Sequence, residues 1–273
     1  MNIGIICLIV IGLLAIGYLF LIFPRIVGRP DCSHLYGVHY AHRGLFDNES
    51  EAPENSLPAF RKAVESGYGI ELDVQLSKDG QLVVFHDETL KRMCGVDGKV
   101  WEYTLEELQT MKLAGSKETI PTFESVLEAV GGKVPLIVEY KFDRVDYRVC
   151  EKGNEALKPY DGTYCIESFH PFVVRWYRKH RPDIVRGQLS QDMLKVKNEK
   201  YPRWMMFCMT YLLVNVLGRP DFVAYCHEDA NNISRRICTL LGAIPVTWTI
   251  QSRGQYEKVK RQFKLFIFDG FRL

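Results

Sequence analysis

The sequence predicts an α/β domain built as a parallel barrel or a doubly wound sheet, behind one N-terminal helix long enough to cross a membrane. Three observations carry this. Residues 3–23 contain no charged side chain. Beyond residue 37, short β-rich runs alternate with amphipathic stretches to the end of the chain. Several of those runs, VPLIVE at 134–139 and KLFIF at 264–268 among them, are nearly continuously apolar, as strands buried on both faces of a parallel sheet should be.

The elements follow in order. Residues 1–24 form the anchor: about 20 apolar residues suffice to span the hydrocarbon core, and Pro24 and Arg25 end the run. A cleaved signal peptide would start with basic residues, carry a shorter apolar stretch and finish at small residues. Here Arg25 and Arg29 follow the run and nothing basic precedes it, which places the chain as a single-pass cell-membrane protein with its domain on the cytoplasmic side. A linker over 25–37 precedes the domain, residues 38–273. Candidate strands are 38–41, 70–76, 82–85, 134–139, 164–168, 184–188, 222–225, 244–249 and 265–268. Candidate helices are 56–66, 122–129, 145–157, 171–179, 232–241 and 255–262. The strands exceed eight by one, and the surplus is expected where 70–76 and 82–85 are joined by Ser77-Lys78-Asp79-Gly80. Alternation of this kind suits a (β/α) barrel or an open doubly wound sheet, and periodicity does not choose between them.

Two stretches interrupt the pattern. Residues 88–120 are polar and mixed, and read as an insertion. Residues 204–217 (WMMFCMTYLLVNVL) are apolar all round yet too short to span a bilayer. They form either a buried core helix or, as part of a segment at 195–219, an apolar lid or interfacial helix aided by Lys195, Lys197, Lys200 and Arg203.

Composition narrows the function. A net charge of +2 lacks the basic excess of nucleic-acid binders, so no nucleic-acid partner is expected. The eight cysteines include no C-x-x-C pair, which argues for free buried thiols rather than a zinc or redox motif.

The chemistry-bearing residues crowd between 41 and 141. His42 and Arg43 follow the first strand, and Pro53-Glu54-Asn55-Ser56 opens a helix. Glu71 and Asp73, two apart in a strand, share a face. In an otherwise apolar strand, two inward carboxylates repel unless a cation holds them. Glu139 and Lys141 end VPLIVEYK, and His86 ends another apolar strand. All fall at or just beyond strand C-termini, the rim where barrel and doubly wound enzymes build their sites. Three carboxylates without a nearby cysteine favour a hard divalent cation, Mg²⁺ or Ca²⁺. Two histidines, a cation and fixed positive side chains match what phosphodiester cleavage needs: a base, an acid, and positive charge around the phosphate.

The order HRG, PENS, ELDVQLSKDG, VVFHD and VEYK resembles the glycerophosphodiester phosphodiesterase family over nearly all of the chain after residue 37. The resemblance implies a (β/α)₈ TIM barrel with its insertion at 88–120, preceded here by the transmembrane helix. It implies His42 and His86 as the catalytic acid/base pair, and Glu71, Asp73 and Glu139 as metal ligands. Arg43 and Lys141 then match phosphate-binding positions, while Glu54 and Asn55 match the motif that supports the catalytic loop. Trp248 and Phe169 match pocket-lining positions. Expected substrates are glycerophosphodiesters, yielding glycerol 3-phosphate and an alcohol, or lysophospholipids at the membrane. Other readings on the same barrel are a lysophospholipase D, a phospholipase C-type enzyme, or a non-catalytic lipid-binding barrel. That last class usually loses a histidine or a metal carboxylate, and all are present here. The chain departs from the family pattern in ending its last strand with Phe268-Asp269-Gly270-Phe271 rather than Thr-Asp-x-Pro.

Overall fold

The computed structural model describes residues 2–197 and 201–273; Lys200 of the basic cluster lies outside them. In chain order the elements are α1 (Ile3–Ile22), β1 (Tyr40–His42), α2 (Leu57–Glu65), β2 (Gly69–Leu76), β3 (Leu82–Val84), α3 (Lys91–Cys94), α4 (Leu105–Leu108), α5 (Phe123–Val130), β4 (Leu136–Tyr140) and α6 (Arg148–Leu157). They continue with β5 (Tyr164–Ser168), α7 (Pro171–His180), β6 (Arg186–Ser190), α8 (Arg203–Thr210), α9 (Asn215–Gly218), β7 (Phe222–Cys226), α10 (Ile233–Leu240), β8 (Ile244–Ile250), α11 (Arg253–Val259) and β9 (Leu265–Phe268).

Eight strands pair in parallel. β1 pairs with both β2 and β9, which closes the sheet into a barrel and decides against the open sheet. The surplus strand is β3, which returns antiparallel on β2 through the turn at Ser77–Gly80. In that turn the Ser77 hydroxyl donates to Asp79 at 2.6 Å, and Gly80 takes a φ of 75° that favours glycine.

Side-chain alternation sorts the strands into two cores. Ile70, Leu72 and Val74 of β2, with Leu136 and Val138 of β4, face outward and pack against Phe60, Phe123 and Val126 of the helices. Inside the barrel, Ile137, Cys165, Val185, Phe222, Ile244 and Leu265 fill the N-terminal end, and Cys32 and Leu35 of the linker join them there. The residues two further along β2, β4 and β5 are therefore interior too, and they are Glu71, Asp73, Glu139 and Glu167. The insertion folds over a small core of its own: Leu90, Met93, Val100, Leu108 and Leu113 packed on Val83 and Phe85.

Residues 204–217 do not form one buried helix. Helix α8 stops at Thr210, Leu212 takes a positive φ of 56°, and α9 is a separate short helix. The two pieces face differently: Leu212, Asn215 and Gly218 are buried, whereas Trp204 and Phe207 are 68% and 47% exposed.

Candidate active site

The site assembles on the barrel's C-terminal rim, because strand register brings the interior positions level. His42 pairs across with Glu71, Asp73 with Glu139, and Glu139 with Glu167. Oxygens of Glu71, Asp73 and Glu139 lie within 4.8 Å of one another, and all three side chains are buried.

The turn after β1 delivers His42 and Arg43 into this ring. Arg43 sits in the left-handed region (φ 58°), as does Asn55 (φ 56°), a strain of roughly 1 kcal/mol each for residues with a Cβ. The two turns brace each other: the Asn55 amide nitrogen donates to the Arg43 carbonyl at 2.9 Å, and the Arg43 amide donates to the Glu71 carbonyl at 2.9 Å. Gly44 must be glycine, since a Cβ there would stand 2.9 Å from the Ala59 carbonyl carbon. Asn55 then donates its side-chain amide to Asp73 at 2.9 Å, and the Arg43 guanidinium donates to Glu54 at 2.8 Å. Ser56 caps α2 by accepting from the Ala59 amide.

Each histidine is held by a carboxylate through Nδ1: His42 by Asp269 at 2.9 Å, His86 by Asp87 at 2.7 Å. That geometry leaves Nε2 of His42 on the carboxylate side, 3.9 Å from Glu71. The two rings stand 6.5 Å apart, centroid to centroid. Both border a recess of about 250 Å³ whose apolar wall is Phe169, Leu189, Trp248 and Ile267. Phe169 and Trp248 meet edge to face at 5.5 Å. Beside His86, Glu139 and Lys141 the recess gives way to a larger cleft of about 460 Å³.

Charge in this small volume is unbalanced. The Lys141 ammonium lies between Asp73 (2.9 Å) and Glu139 (2.7 Å), and its own pKa is raised because that pairing outweighs its burial. Burial pushes Asp73 up, but Lys141, His86 and Arg43 more than reverse this and hold it ionised. Glu71 goes the other way: burial, then the charges of Asp73, Glu139 and Glu167, raise it well above the ordinary range. Glu139 is also raised, chiefly by burial. A divalent cation among Glu71, Asp73 and Glu139 would offset the mutual repulsion that raises Glu71, and the all-oxygen donor set fits Mg²⁺ or Ca²⁺. His42 is shifted down, since burial outweighs the Asp269 hydrogen bond that favours its charged form.

The site thus brings together His42, Arg43, Glu54, Asn55, Glu71, Asp73, His86, Glu139, Lys141, Phe169 and Trp248. Four participants were missed, the first being Asp87, which follows His86 in VVFHD and holds its Nδ1. Asp269 belongs to the Phe-Asp-Gly-Phe ending that departs from the family pattern, yet β9 pairs with β1 and places its carboxylate on His42. Arg92, from the insertion, donates to Glu54 at 2.6 and 2.8 Å and to Asp87 at 2.6 and 2.9 Å, joining the support of Arg43 to that of His86. Burial would raise Glu54, but Arg92 and Arg43 hold it at about 2. Glu167 is 1% exposed and its Oε2 has no partner among the described residues. An acid two residues into the run C-I-E-S, at the same strand end as Ser168, was its available signal.

A closed (β/α)₈ barrel whose C-terminal rim carries a buried carboxylate cluster, two carboxylate-held histidines and paired cationic side chains defines a class of barrel hydrolases suited to phosphate esters. A family model described as the glycerophosphoryl diester phosphodiesterase family matches residues 42–234, and the chain belongs to that family. It is 41% identical over 232 residues to the glycerophosphodiester phosphodiesterase of Caldanaerobacter subterraneus, covering 80% of this chain and 88% of that one. Among solved structures, the glycerophosphodiester phosphodiesterase of Thermotoga maritima superposes with a TM-score of 0.64 at 28% identity, over 85% of this chain and 95% of that one. An Oleispira antarctica phosphodiesterase, solved with its product sn-glycerol-3-phosphate, shares the fold with a TM-score of 0.69 at 23% identity, over 86% and 93%.

Proposed function

We propose that this chain hydrolyses glycerophosphodiesters to glycerol 3-phosphate and an alcohol, at the membrane that holds α1, with His42 and His86 as the acid/base pair. The observation that carries this is the convergence, on one rim, of two carboxylate-oriented histidines and three buried carboxylates whose oxygens lie within 4.8 Å. Glu71, Asp73 and Glu139 would hold a divalent cation, which supplies positive charge to the phosphate oxygens when bound. Arg43 and Lys141, both ion-paired at the site's edge, orient the phosphate. His42 is the base: its lowered pKa keeps the ring neutral near pH 7, and its Nδ1–H donates to the Asp269 carboxylate, leaving Nε2 free to accept a proton. His86, held by Asp87, is the acid that protonates the leaving alkoxide. Glu54 and Asn55 hold Arg43 and Asp73 in place, and Phe169 and Trp248 wall the recess that takes one alcohol.

The anchor reading draws support from how α1 is seated. Ile22 is fully buried, its carbonyl accepts from Asn215 at 3.2 Å, and Arg219 donates to the carbonyls of Phe20 and Phe23. Cleavage as a signal sequence would strip these partners from the barrel. Arg25 and Arg29, which suggest a cytoplasmic domain, are also committed to a buried ion pair with Asp221.

Release of glycerol 3-phosphate from glycerophosphocholine, measured with Mg²⁺, Ca²⁺ or a chelator, tests the reading. Cation-dependent release that falls by about 10²–10⁴-fold in His42→Ala and in His86→Ala is expected. Full activity in the double variant would end the acid/base assignment.

A further inference from the structure

The proposed chemistry leaves one buried acid unused. Glu167 is 1% exposed, and its Oε2 has no hydrogen-bond partner among the described residues. Strand register explains why. Its neighbour in the barrel on one side is Glu139, another acid, and on the other side it is Gly187. No side chain can rise from Gly187 to meet it, because a Cβ there would collide with the Phe222 ring. The fold thus buries a carboxyl and supplies nothing to pair with it. A hydrogen bond left unmade in this way costs stability, so the group points to a partner that arrives from outside.

Glu167 also stands apart from the cation ligands. The oxygens that converge within 4.8 Å belong to Glu71, Asp73 and Glu139. It lines instead the 250 Å³ recess, together with Phe169, Leu189, Trp248 and Ile267. Phe169, two residues on, meets Trp248 edge to face at 5.5 Å, so the recess is an aromatic slot with a carboxyl in its wall. Neighbouring polar groups are already engaged. The Trp248 indole N–H donates to the Ala224 carbonyl at 3.3 Å, and Nδ1 of His42 is held by Asp269. An anion is ill-suited to this place, since Arg43 and Lys141 both turn toward Asp73, at 3.8 and 2.9 Å. A small uncharged alcohol suits it: its C–H surface covers the aromatic rings while its hydroxyl meets the carboxyl. A carboxyl oxygen accepts from an alcohol O–H in either protonation state, so the contact needs no titration of Glu167.

We propose that Glu167 is a specificity-determining residue, which binds a free hydroxyl of the glycerol unit seated between Phe169 and Trp248 and so selects glycerol over alcohols that lack that hydroxyl. The inference rests on the phosphodiesterase reading above and deepens it. The cation ligands and the histidines act on the phosphodiester whatever its alcohol, and Glu167 decides which alcohol is seated for them.

The test compares the full-length protein with its Glu167→Leu and Glu167→Gln variants, in Mg²⁺. The substrates are glycerophosphocholine and the phosphocholine esters of propylene glycol and trimethylene glycol, each of which lacks one hydroxyl of glycerol. The parent should prefer glycerophosphocholine over at least one of these esters by about 10–100-fold in kcat/KM. Glu167→Leu should erase that preference by losing glycerophosphocholine turnover alone, and the ester that escapes the loss identifies the hydroxyl. Glu167→Gln keeps a donor and an acceptor in place and should retain most of the preference. Equal losses on all three substrates, or no loss on any, overturn the inference. So does a fall of about tenfold or more in the Mg²⁺ affinity of Glu167→Leu, measured by calorimetry, since that would make the residue a cation ligand. If the parent turns over none of the three, the phosphodiesterase reading falls. Calorimetric binding of glycerol 3-phosphate against the phosphates of the two glycols then decides the inference: a preference present in the parent and absent in Glu167→Leu supports it, and the same preference in both overturns it.

Discussion

At His42 two opposing forces meet: burial drives the ring toward neutrality, and the Asp269 carboxylate pulls it back. Replacing Asp269 by Asn removes the second force and the tautomer control with it. The acid limb of the kcat/KM–pH profile should move to lower pH, with the plateau reduced at least tenfold or so. In a His42→Ala background the same change should add little, which a double-mutant cycle reads directly. Folding also keeps this ring neutral where an unfolded histidine titrates near ~6.5, so its contribution to stability is present above that pH and is lost as the pH falls. Glu167 presents the reverse case. Burial and Glu139 raise its pKa well above the usual carboxylate range, so the folded state holds a proton that the unfolded chain releases near ~4.5. Stability is therefore lost as pH rises above that value. Glu167→Gln should raise Tm of the chelator-treated protein at pH 8 and leave it nearly unchanged at pH 4; an unchanged Tm at both would show that this carboxyl carries no burial cost.

Among the elements, α7 offers a clean pH probe. Its N-cap is His170, whose Nδ1 accepts from the Phe172 amide, and burial lowers this ring to about 4. Protonation would turn that acceptor into a donor and undo the cap. Between pH ~6.5 and 4, parent stability should fall relative to a His170→Asn variant, which keeps a capping oxygen without a titration. Denaturant midpoints of the two proteins across that window check it. The regular elements were legible in the sequence because their signals are local: nearly continuous apolar runs mark the barrel strands, amphipathic stretches mark the helices, and Ser56, Thr122 and Asn232 each cap the helix expected to start there. Closure was not legible from periodicity, since β1 meeting β9 is a contact between the two ends of the domain. The same non-locality hid Arg92 and Asp269, which act on residues 38 and 227 positions away in the chain. The break at Leu212 was missed because WMMFCMTYLLVNVL has no helix-breaking residue to announce it. What ends α8 there is the demand that Met206 and Met209 face the cleft while Leu212 and Asn215 pack beneath.

On the scale of the whole molecule, the N-terminal helix, the linker and the barrel are one packed unit rather than a domain on a leash. Asp221 is completely buried and accepts two 2.7 Å hydrogen bonds from Arg25, a third from the Arg186 amide, and an ion pair from Arg29. Asp221→Ala would strand two arginines and should cost about 3–5 kcal/mol in a denaturant titration. A loss under about 1 kcal/mol would mean that the linker is not fastened there. The linker's other end has a different effect. Cys32 and Leu35 close the barrel at the foot of its strands, beneath Tyr40, Ile137 and Phe222. A tube stoppered at one end has a single doorway. Whatever is made at the rim must go out past whatever is waiting to come in, so the phosphate-bearing product and fresh substrate contend for the same passage. Accumulating product should therefore act as a competitive brake on its own formation.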